Sequence, residues 1–358
     1  MKDLSPHVLM ADAQVALQLR SATDSDTASI LSLFQTVFGR ERSRARWQWK
    51  YHNSPSGPGI VSIVAEDDCV VGCSAFMRMD LNHLGVRVPA GQSCDAMVLA
   101  RVSGRGQFTA LFEMNRSAAE EAGWEALISF PNRRSFPIRA GRLGSRKIAV
   151  LRSYSRRLGA RRIVGPFADL ALKVALRCGH QLRFMADAFR VSHTLEVRVS
   201  RSIPADLEQV LHDHREQEVL SVWKDCEFLD WRYVKHPDST YDIHVLYADQ
   251  APCAVAICRV REGAVHICEL MHRNHDVRET AMLLGHLSSY YARSRAQILS
   301  FLAWDAGFYD AAFNEAGFTA KPFSPLTMVA TAFERSAIAS LYAFPSNWAV
   351  GFGDVDVA

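Results

Sequence analysis

The chain has 358 residues, 49% apolar and 22% charged, which is the composition of a folded globular protein and excludes a disordered, collagen-like or coiled-coil chain. With 41 basic and 38 acidic residues the formal net charge is +3, too balanced for a protein whose whole surface binds nucleic acid. The length predicts two domains or one large one. No run of about 18 uncharged apolar residues predicts a membrane span, and no apolar segment follows Met1-Lys2-Asp3, so we expect a cytoplasmic protein.

Eight cysteines are spread along the chain without a C-x-x-C motif. The nearest pairs, Cys69/Cys73 and Cys253/Cys258, have no histidine partner at zinc-finger spacing. We therefore expect reduced thiols, most of them buried, and no metal site.

Hydrophobic periodicity in the first half of the chain predicts alternating strands and helices. Asp24-Ser25-Asp26 supplies N-cap candidates for a helix whose apolar residues recur at helical spacing. Two β-rich runs are joined by Glu66-Asp67-Asp68, which is a hairpin signal. The predicted elements are a strand at 16–20, a helix at 30–37, strands at 60–65, 69–77 and 96–100, a helix at 108–122, a strand at 125–130 and a short helix at 135–143. The fold class is therefore mixed α/β.

The sequence resembles itself at an offset of 182 residues, about half its length. This offset aligns Trp49-Lys50-Tyr51 with Trp231-Arg232-Tyr233 and continues without a gap to Gly72, opposite Ala254. Downstream the offset falls to about 173, as expected if one hairpin is shorter in the second copy. The second copy predicts strands near 194–199, 243–248, 253–260, 264–270 and 298–303 and a helix near 277–292. We therefore expect two diverged copies of one fold.

The predicted boundaries place a first domain at 1–165 and a second at 191–358. Gly165-Pro166 precedes an amphipathic helical pattern, so we expect residues 166–190 to form a linker helix. Such a helix packs one copy against the other or lies on a membrane surface, and its position between two copies favours packing.

A glycine turn, Val102-Ser103-Gly104-Arg105-Gly106-Gln107, lies between a predicted strand and a predicted helix. A turn that opens directly into a helix directs free backbone N–H groups and the positive end of the helix dipole at one point, which suits a pyrophosphate. An ordinary tight turn gives the same pattern. The antiparallel hairpin before the turn argues against a dinucleotide-binding Rossmann unit, and the absence of a following Gly-Lys-Ser/Thr excludes a P-loop.

The succession of strand, helix, hairpin, strand, glycine turn, helix, strand and helix resembles the GCN5-related N-acetyltransferase (GNAT) superfamily. The resemblance implies two tandem GNAT-like domains, each with a mixed, mostly antiparallel central sheet flanked by helices. It also implies that the turn binds acetyl-CoA or another acyl-CoA as donor substrate, with either Ser103 or Arg101 at the first signature position. The residues that the resemblance assigns to coenzyme A are Val98, Ser103, Gly104, Arg105, Gly106, Gln107, Phe108, Thr109, Asn132 and Ser135.

Two departures from the family pattern limit this interpretation. Many relatives have a tyrosine that protonates the departing thiolate, and Arg139 stands at its place here, so a tyrosine acid cannot be assumed. The second copy has no glycine in its turn, and Asp276 and Glu279 would repel phosphate. We therefore expect one coenzyme A site per chain.

Direct acyl transfer to an amine requires a general base, because the nucleophile must be neutral. Asp95 is the first candidate, since the strand before the glycine turn lines the active-site cleft of the family. His52 and Glu66 are the other candidates. The aromatic motif and its echo supply candidate substrate-binding residues, for which a place in the core is the open alternative: Trp49, Tyr51, Asp230 and Trp231.

The leading hypothesis is an acyl-CoA-dependent N-acyltransferase that acts on a small-molecule primary amine. The aromatic motif at 47–51 and the tail from Asn347 to Asp356 resemble bacterial tandem acyltransferases of polysaccharide biosynthesis, which implies a nucleotide-linked amino sugar as acceptor. A Fem-type transferase that uses aminoacyl-tRNA is the alternative, because eleven basic and no acidic residues lie between Ala126 and Ala168. A non-catalytic module that binds coenzyme A is the third hypothesis.

Overall fold

The computed structural model describes residues 17–67, 69–104, 106–158, 194–304, 308–321 and 326–355. The predicted linker helix at 166–190 lies outside the described residues. The helices are α1 (Thr27–Phe38), α2 (Arg44–Tyr51), α3 (Gln107–Glu121), α4 (Glu208–Gln217), α5 (Cys226–Leu229), α6 (Val277–Tyr291) and α7 (Phe308–Glu315). Two π-helical turns cover Ile138–Arg142 and Asp230–Val234.

The strands form two large sheets and one small one. The strands are β1 (Leu17–Ser21), β2 (Ile60–Glu66), β3 (Cys69–Arg78), β4 (Leu81–His83), β5 (Val86–Val88), β6 (Ala90–Val98), β7 (Ala126–Ser129), β8 (Arg146–Val150), β9 (Arg152–Arg157), β10 (Leu195–Ser200), β11 (Ser221–Val222), β12 (Asp242–Ala248), β13 (Ala251–Arg261), β14 (Ala264–His272), β15 (Ile298–Trp304), β16 (Thr319–Lys321), β17 (Thr327–Ala332) and β18 (Val350–Gly351).

The first sheet has the order β1-β2-β3-β6-β7-β17-β8, and the second has the order β10-β12-β13-β14-β15-β9-β16, with β18 on β15. All the strand pairs in them are antiparallel except β6 with β7 and β14 with β15. We call the first sheet with α1 to α3 and the hairpin of β4 and β5 the first unit, and the second sheet with α4 to α7 the second unit. The predicted fold class, two mixed and mostly antiparallel sheets flanked by helices, is confirmed.

The periodicity of the sequence explains which helix faces are buried. In α1 the residues Ile30, Leu33 and Phe34 recur at helical spacing and are buried against the first sheet, and the helix ends at Gly39 with a φ of 67°. The first unit alone has the hairpin of β4 and β5, whereas β13 and β14 are joined by a tight turn; this accounts for the shorter offset downstream.

Each sheet contains one strand from the other half of the chain. β9 follows β8 after the single residue Leu151, yet it lies between β15 and β16. Conversely, β17 lies between β7 and β8. Each sheet therefore draws one strand from the other side of the predicted boundary at residue 165, which itself lies outside the described residues and stays a prediction.

The two aligned tryptophans meet between the units. Their rings stack with centroids 4.8 Å apart and an interplanar angle of 17°. Trp49 Nε1 donates to the Trp231 carbonyl (2.8 Å), and Trp231 Nε1 donates to the Trp49 carbonyl (3.0 Å). This reciprocal pair places the two halves of the sequence repeat in a near-symmetric contact.

Candidate functional site

The central strands of the first sheet separate and leave a gap. β6 and β7 pair in parallel over three residue pairs, the last of which joins Gln92 and Ile128. Beyond that point, which we call the vertex of the gap, β6 continues to Val98. The edge from Ser93 to Val98 has no strand paired to it on that side among the described residues. An edge that no strand covers can pair with an extended ligand.

A bulge on the opposite edge of β6 bends the strand at this gap. β3 pairs Ala75 with Cys94 and Cys73 with Met97, so two residues of β6 face one residue of β3. The first of the two, Asp95, has a φ of 46°, which is uncommon for residues other than glycine. Bulges increase the local twist. The bulge thus helps to separate β6 from β7. The strand predicted at 96–100 runs from 90 to 98, because its first half, Ala90 to Cys94, pairs in the sheet without a continuous apolar run.

The glycine turn follows β6 and leads into α3. Gly104 and Gly106 have φ values of 84° and 87°, which glycine adopts without the steric penalty of a Cβ. Beyond the adjacent residues, no heavy atom lies within 4 Å of the place a Cβ would take at either glycine, so the turn faces open space. Buried Val102 anchors the turn in a small apolar cluster, and Ser103 follows it. Arg105 lies outside the described residues.

The N-terminus of α3 has no side-chain cap. Its N-cap residue is Gly106, which has no side chain to accept from the N–H groups of the first turn. Ala110 N bonds to Gly106 O (3.0 Å), so the N–H groups of Gln107, Phe108 and Thr109 have no helical acceptor. These donors, together with the helix dipole, favour an anion at this position.

Asn132 and Ser135 follow β7 and stabilise the turn after it. Asn132 Oδ1 accepts from the backbone N–H groups of Arg134 and Ser135, each at 3.0 Å, and the Ser135 hydroxyl lies 3.2 Å from the same oxygen. The side-chain carbonyl of Asn132 therefore accepts its hydrogen bonds from within the turn itself. The contact of these residues with coenzyme A stays a prediction.

Asp95 lies at the centre of an ion-pair cluster. Its Oδ2 accepts from Lys50 Nζ (2.9 Å) and from the Tyr51 hydroxyl (2.5 Å), and the Arg42 guanidinium makes a third contact. Its side chain is 6% exposed. Burial raises the pKa of this carboxyl, but Lys50 and Arg42 lower it further, so the pKa lies below its usual range. A carboxylate held by two cations is a poor proton acceptor, and this geometry argues against Asp95 as the general base.

The second unit repeats the carboxylate cluster. The Tyr233 hydroxyl donates to Glu269 Oε1 (2.5 Å), and Lys224 Nζ lies 2.7 Å from Glu269 Oε2. Tyr233 aligns with Tyr51 in the sequence repeat. Because the same tyrosine-carboxylate-cation arrangement occurs in both units, we assign Asp95 to the fold. Sequence reasoning missed Arg42 and Lys50; the offset of 182 residues contained a signal, since it aligns Arg42 with Lys224, the cation of the second cluster.

Glu66 and His52 lie in different parts of the first unit. Glu66 ends β2 and forms an ion pair with Arg101, just before the glycine turn, which lowers its pKa. Val64 of β2, Gly72 of β3 and Val98 of β6 lie side by side across the sheet. Glu66 lies beyond this row, at the open end of the gap and far from the vertex. His52 follows α2, and its side chain is 40% exposed and 4.0 Å from Asp24.

The aromatic candidates are buried. Trp49, Tyr51 and Trp231 are 4%, 1% and 3% exposed. The indole faces stack on each other and their N–H groups are bonded, so this packing assigns the tryptophans to the interior and gives them no free face for a substrate. Asp230 is one-third exposed and forms an ion pair with Lys235 (2.7 Å). Of the two interpretations of the aromatic motif, a place in the core therefore fits the structure better than substrate binding.

Arg139 is a buried cation in the short π-helical turn after β7. It is 4% exposed, its guanidinium donates to the Ser93 hydroxyl, and its Cζ lies 4.3 Å above the centre of the Phe112 ring. Burial lowers its pKa to about 10, whereas Cys94 raises it. The described residues include no carboxylate paired with it. The predicted helix at 135–143 is this shorter π-helical turn.

The corresponding turn of the second unit is blocked by its own side chain. Asp276 is the N-cap of α6, and its Oδ1 accepts from the N–H groups of Arg278 (2.8 Å) and Glu279 (2.9 Å). The carboxylate therefore takes the donors and the position that an anion would need.

The gap of the second unit is filled by the chain itself. β14 and β15 pair as far as Ile267 opposite Phe301, and β18 then pairs with β15 in place of β14. At Gly353 a Cβ would lie 2.2 Å from the Tyr233 hydroxyl, so the backbone packs directly on the carboxylate cluster. The described residues thus contain one open gap of this kind, in the first unit.

The described residues include no helix with both the length and the apolar character needed to span a membrane. Within the same parts of the chain, no group of three or more His, Cys, Asp or Glu is placed to hold a metal ion. A shallow cleft of about 600 Å³ lies at the crossing of the exchanged strands, and none of the predicted site residues lines it.

Comparison with known proteins agrees with the geometry of the first unit. Residues 18–141, about a third of the chain, match the model of the acetyltransferase (GNAT) domain family. This stretch contains the gap, the glycine turn and α3. No curated protein sequence matches the chain.

Solved structures extend the likeness to most of the chain. A conserved protein of unknown function from Enterococcus faecalis, a probable N-acyltransferase, has a TM-score of 0.62 at 13% identity and covers 89% of this chain and 73% of its own. GCN5-related N-acetyltransferases from Kribbella flavida (TM-score 0.57, 14% identity, 93% and 75% covered) and Anabaena variabilis (0.60, 11%, 88% and 73%) are also similar. At these identities the likeness shows the fold, which is that of GNAT proteins.

Proposed function

We propose that the first unit binds an acyl-CoA and transfers its acyl group to a primary amine. One observation carries this proposal. The uncapped N-terminus of α3, preceded by two glycines in the left-handed conformation, stands at the end of the unpaired edge of β6. A helix N-terminus of this kind binds phosphate oxygens through backbone N–H groups.

The gap supplies a path for the rest of the donor. With the pyrophosphate at residues 103–109, the amides of the pantetheine arm can pair with the edge of β6 that no strand covers between Ser93 and Val98, as another strand would. Five residues of extended strand span roughly 17 Å. The thioester then lies near the vertex of the gap, at Ser93.

The reaction forms one bond and breaks another. The amine nitrogen attacks the thioester carbonyl carbon, the new C–N bond forms, and the C–S bond breaks. The amine loses one proton and the leaving thiolate gains one. No described tyrosine is assigned as the acid, because Arg139 takes that place, so we propose that a water supplies the proton to the thiolate.

His52 is the base candidate that we retain. Asp95 and Glu66 are held in ion pairs with arginine or lysine, whereas the His52 side chain is exposed at the end of α2 and lies 4.0 Å from the Asp24 carboxylate. A base acts on the acceptor, so replacement of His52 by glutamine should lower kcat/KM about 100-fold and leave acyl-CoA affinity within twofold. Unchanged turnover would remove His52 and leave a water relay as the route.

The decisive experiment tests the glycine turn. Calorimetry should show acetyl-CoA binding to the intact chain, and the double change Gly104→Asp and Gly106→Asp should lower the affinity at least 100-fold, because two carboxylates would repel the pyrophosphate. Asn274→Asp, an exposed change in the turn of the second unit, is the matched control and should leave the affinity unchanged. Equal affinity in the double variant would overturn the site.

Turnover should then be followed as free thiol with a panel of amines that includes nucleotide-linked amino sugars. Release of thiol with one amine class identifies the acceptor. Binding of acetyl-CoA without release by any amine would favour the non-catalytic module. Steeply salt-dependent tRNA binding with no response to acyl-CoA would favour the Fem-type transferase.

A further inference from the structure

The guanidinium of Arg139 is a buried positive charge at the gap of the first unit. It is 4% exposed, and the described residues pair no carboxylate with it. Its surroundings are the Ser93 hydroxyl and the rings of Phe112 and Phe108, at 4.3 and 5.6 Å. An unpaired buried cation costs several kcal/mol, so an anion that enters this place is favoured.

The position of this cation is the vertex of the gap. Ser93 is the first residue of β6 beyond its last pair with β7, and Arg139 bonds to its side chain. The glycine turn lies at the other end of the unpaired edge, beyond Val98. A ligand whose pyrophosphate occupies the turn and whose arm follows β6 ends at the guanidinium.

The second unit shows that the fold does not need an arginine here. At the offset of about 173 that relates the two copies downstream, Arg139 corresponds to Ala312, which is fully buried. The carboxylate clusters of Asp95 and Glu269, by contrast, occur in both units. The cation is therefore confined to the unit whose gap is open.

We propose that Arg139 and Ser93 form a carboxylate-binding subsite at the vertex, and that one substrate of the acyl transfer carries a carboxylate that binds there. The inference rests on the proposed function. A guanidinium matches a carboxylate with two parallel N–H donors, and the Ser93 hydroxyl, which accepts from Arg139, retains its own proton to donate. The carboxylate belongs either to a short dicarboxylic acyl chain or to the amine acceptor.

The donor arm of the test compares coenzyme A, acetyl-CoA and succinyl-CoA by calorimetry. If the acyl chain carries the carboxylate, succinyl-CoA should bind about 10- to 100-fold more tightly than acetyl-CoA, the range expected for hydrogen bonds to a charged group. Arg139→Met should abolish this difference and leave the affinity for coenzyme A within twofold. Arg142→Met, an exposed change in the same turn, is the matched control and should keep the difference.

The acceptor arm compares amino acids with the amines that lack their carboxylate, with thiol release as the signal. If the acceptor carries the carboxylate, kcat/KM should favour the amino acid by the same 10- to 100-fold, and Arg139→Met should remove the preference. Ser93→Ala, which keeps the arginine, should reduce the preference by about 3- to 10-fold in whichever arm shows it. This second variant decides the matter if Arg139→Met does not fold.

The failures are distinguishable. Coenzyme A binding with no carboxylate preference in either arm overturns the inference and leaves the proposed function intact. An equal loss of turnover for every donor and acceptor in Arg139→Met also overturns it, because the guanidinium would then act on the leaving thiolate. Absence of coenzyme A binding overturns the proposed function and this inference with it.

Discussion

The turn at residues 103–106 and the turn at residues 273–276 follow equivalent central strands, and each opens into a helix of 15 residues. The first leaves the helix N-terminus uncapped and faces open space, whereas the second places the Asp276 carboxylate on the same backbone donors. The neighbouring gaps differ in the same sense, because β18 fills the second one. In the second unit groups of the chain itself thus occupy both places: a carboxylate lies on the helix donors, and a strand lies in the gap.

The carboxylate clusters show the opposite behaviour. Asp95 and Glu269 each accept from a buried tyrosine and a lysine, and both units retain this arrangement although only one has an open gap. A feature that occurs both beside an open gap and beside a filled one belongs to the fold. The comparison therefore separates groups that hold the sheets from groups that serve a ligand.

The largest expected effect is a loss of stability of the second unit at mildly acidic pH. Burial lowers the pKa of both His244 and His272 to about 3, and of His214 well below its usual value. A histidine whose folded pKa lies below the unfolded value of about 6.5 contributes stability above pH 6.5 that is lost as the pH falls toward 3. For His244 and His272 together the loss is on the order of 4 kcal/mol at pH 5.

The first unit should respond in a lower window. Its described histidines, His52 and His83, are not fully buried. The lowered pKa of Asp95 contributes stability that is present above its unfolded value of about 3.8 and is lost only below it. Hydrogen exchange, corrected for the intrinsic rate, should therefore show β12 to β14 opening between pH 6.5 and 4 before β2, β3 and β6. Earlier opening of the first sheet would contradict the attribution of acid sensitivity to the buried histidines of the second unit.

The second prediction concerns the two clusters. Asp95→Asn should lower the free energy of unfolding by about 3–5 kcal/mol, because it leaves Lys50 and Arg42 facing a neutral amide. Glu269→Gln should cost less, because Lys224 retains Asp354 at 2.9 Å. Denaturant unfolding measures both. If Asp95→Asn keeps its full stability and loses turnover alone, Asp95 is a catalytic group after all.

Sequence reasoning located most elements, because hydrophobic periodicity is a local signal. The helix predicted at 108–122 spans 107–121, and the strands predicted at 243–248 and 298–303 span 242–248 and 298–304. It also located the glycine turn, since two glycines between a strand and a helix limit the backbone to few conformations.

The exchange of strands and the partners of the site residues could not be predicted in this way. β8 and β9 are separated by one residue, and their periodicity does not state which sheet each one joins. Arg42 lies 53 residues from Asp95, and only the folded chain brings them together. The closure of the second gap by β18 depends on the last part of the chain, whose pattern carries no sign of its destination.

The smallest effect tests the second turn itself. Asp276→Ala should lower the free energy of unfolding by about 1 kcal/mol, because the N–H groups of Arg278 and Glu279 lose the carboxylate that caps them. Thermal unfolding of the variant and the intact chain measures this difference. A difference within experimental error would mean that the Asp276 cap does not stabilise α6.

The same position tests whether the carboxylate alone closes the second site. Asp276→Gly removes the charge and supplies the missing glycine, so a site blocked only by Asp276 would then take up coenzyme A. We expect calorimetry to give one coenzyme A per chain before and after this change. β18 still occupies the place that the pantetheine arm would need, and Gly353 packs against Tyr233 and Glu269. Removal of the carboxylate from the turn therefore leaves the gap filled. Two molecules bound per variant chain would show that the arm can displace β18, and that the difference between the units lies in one carboxylate.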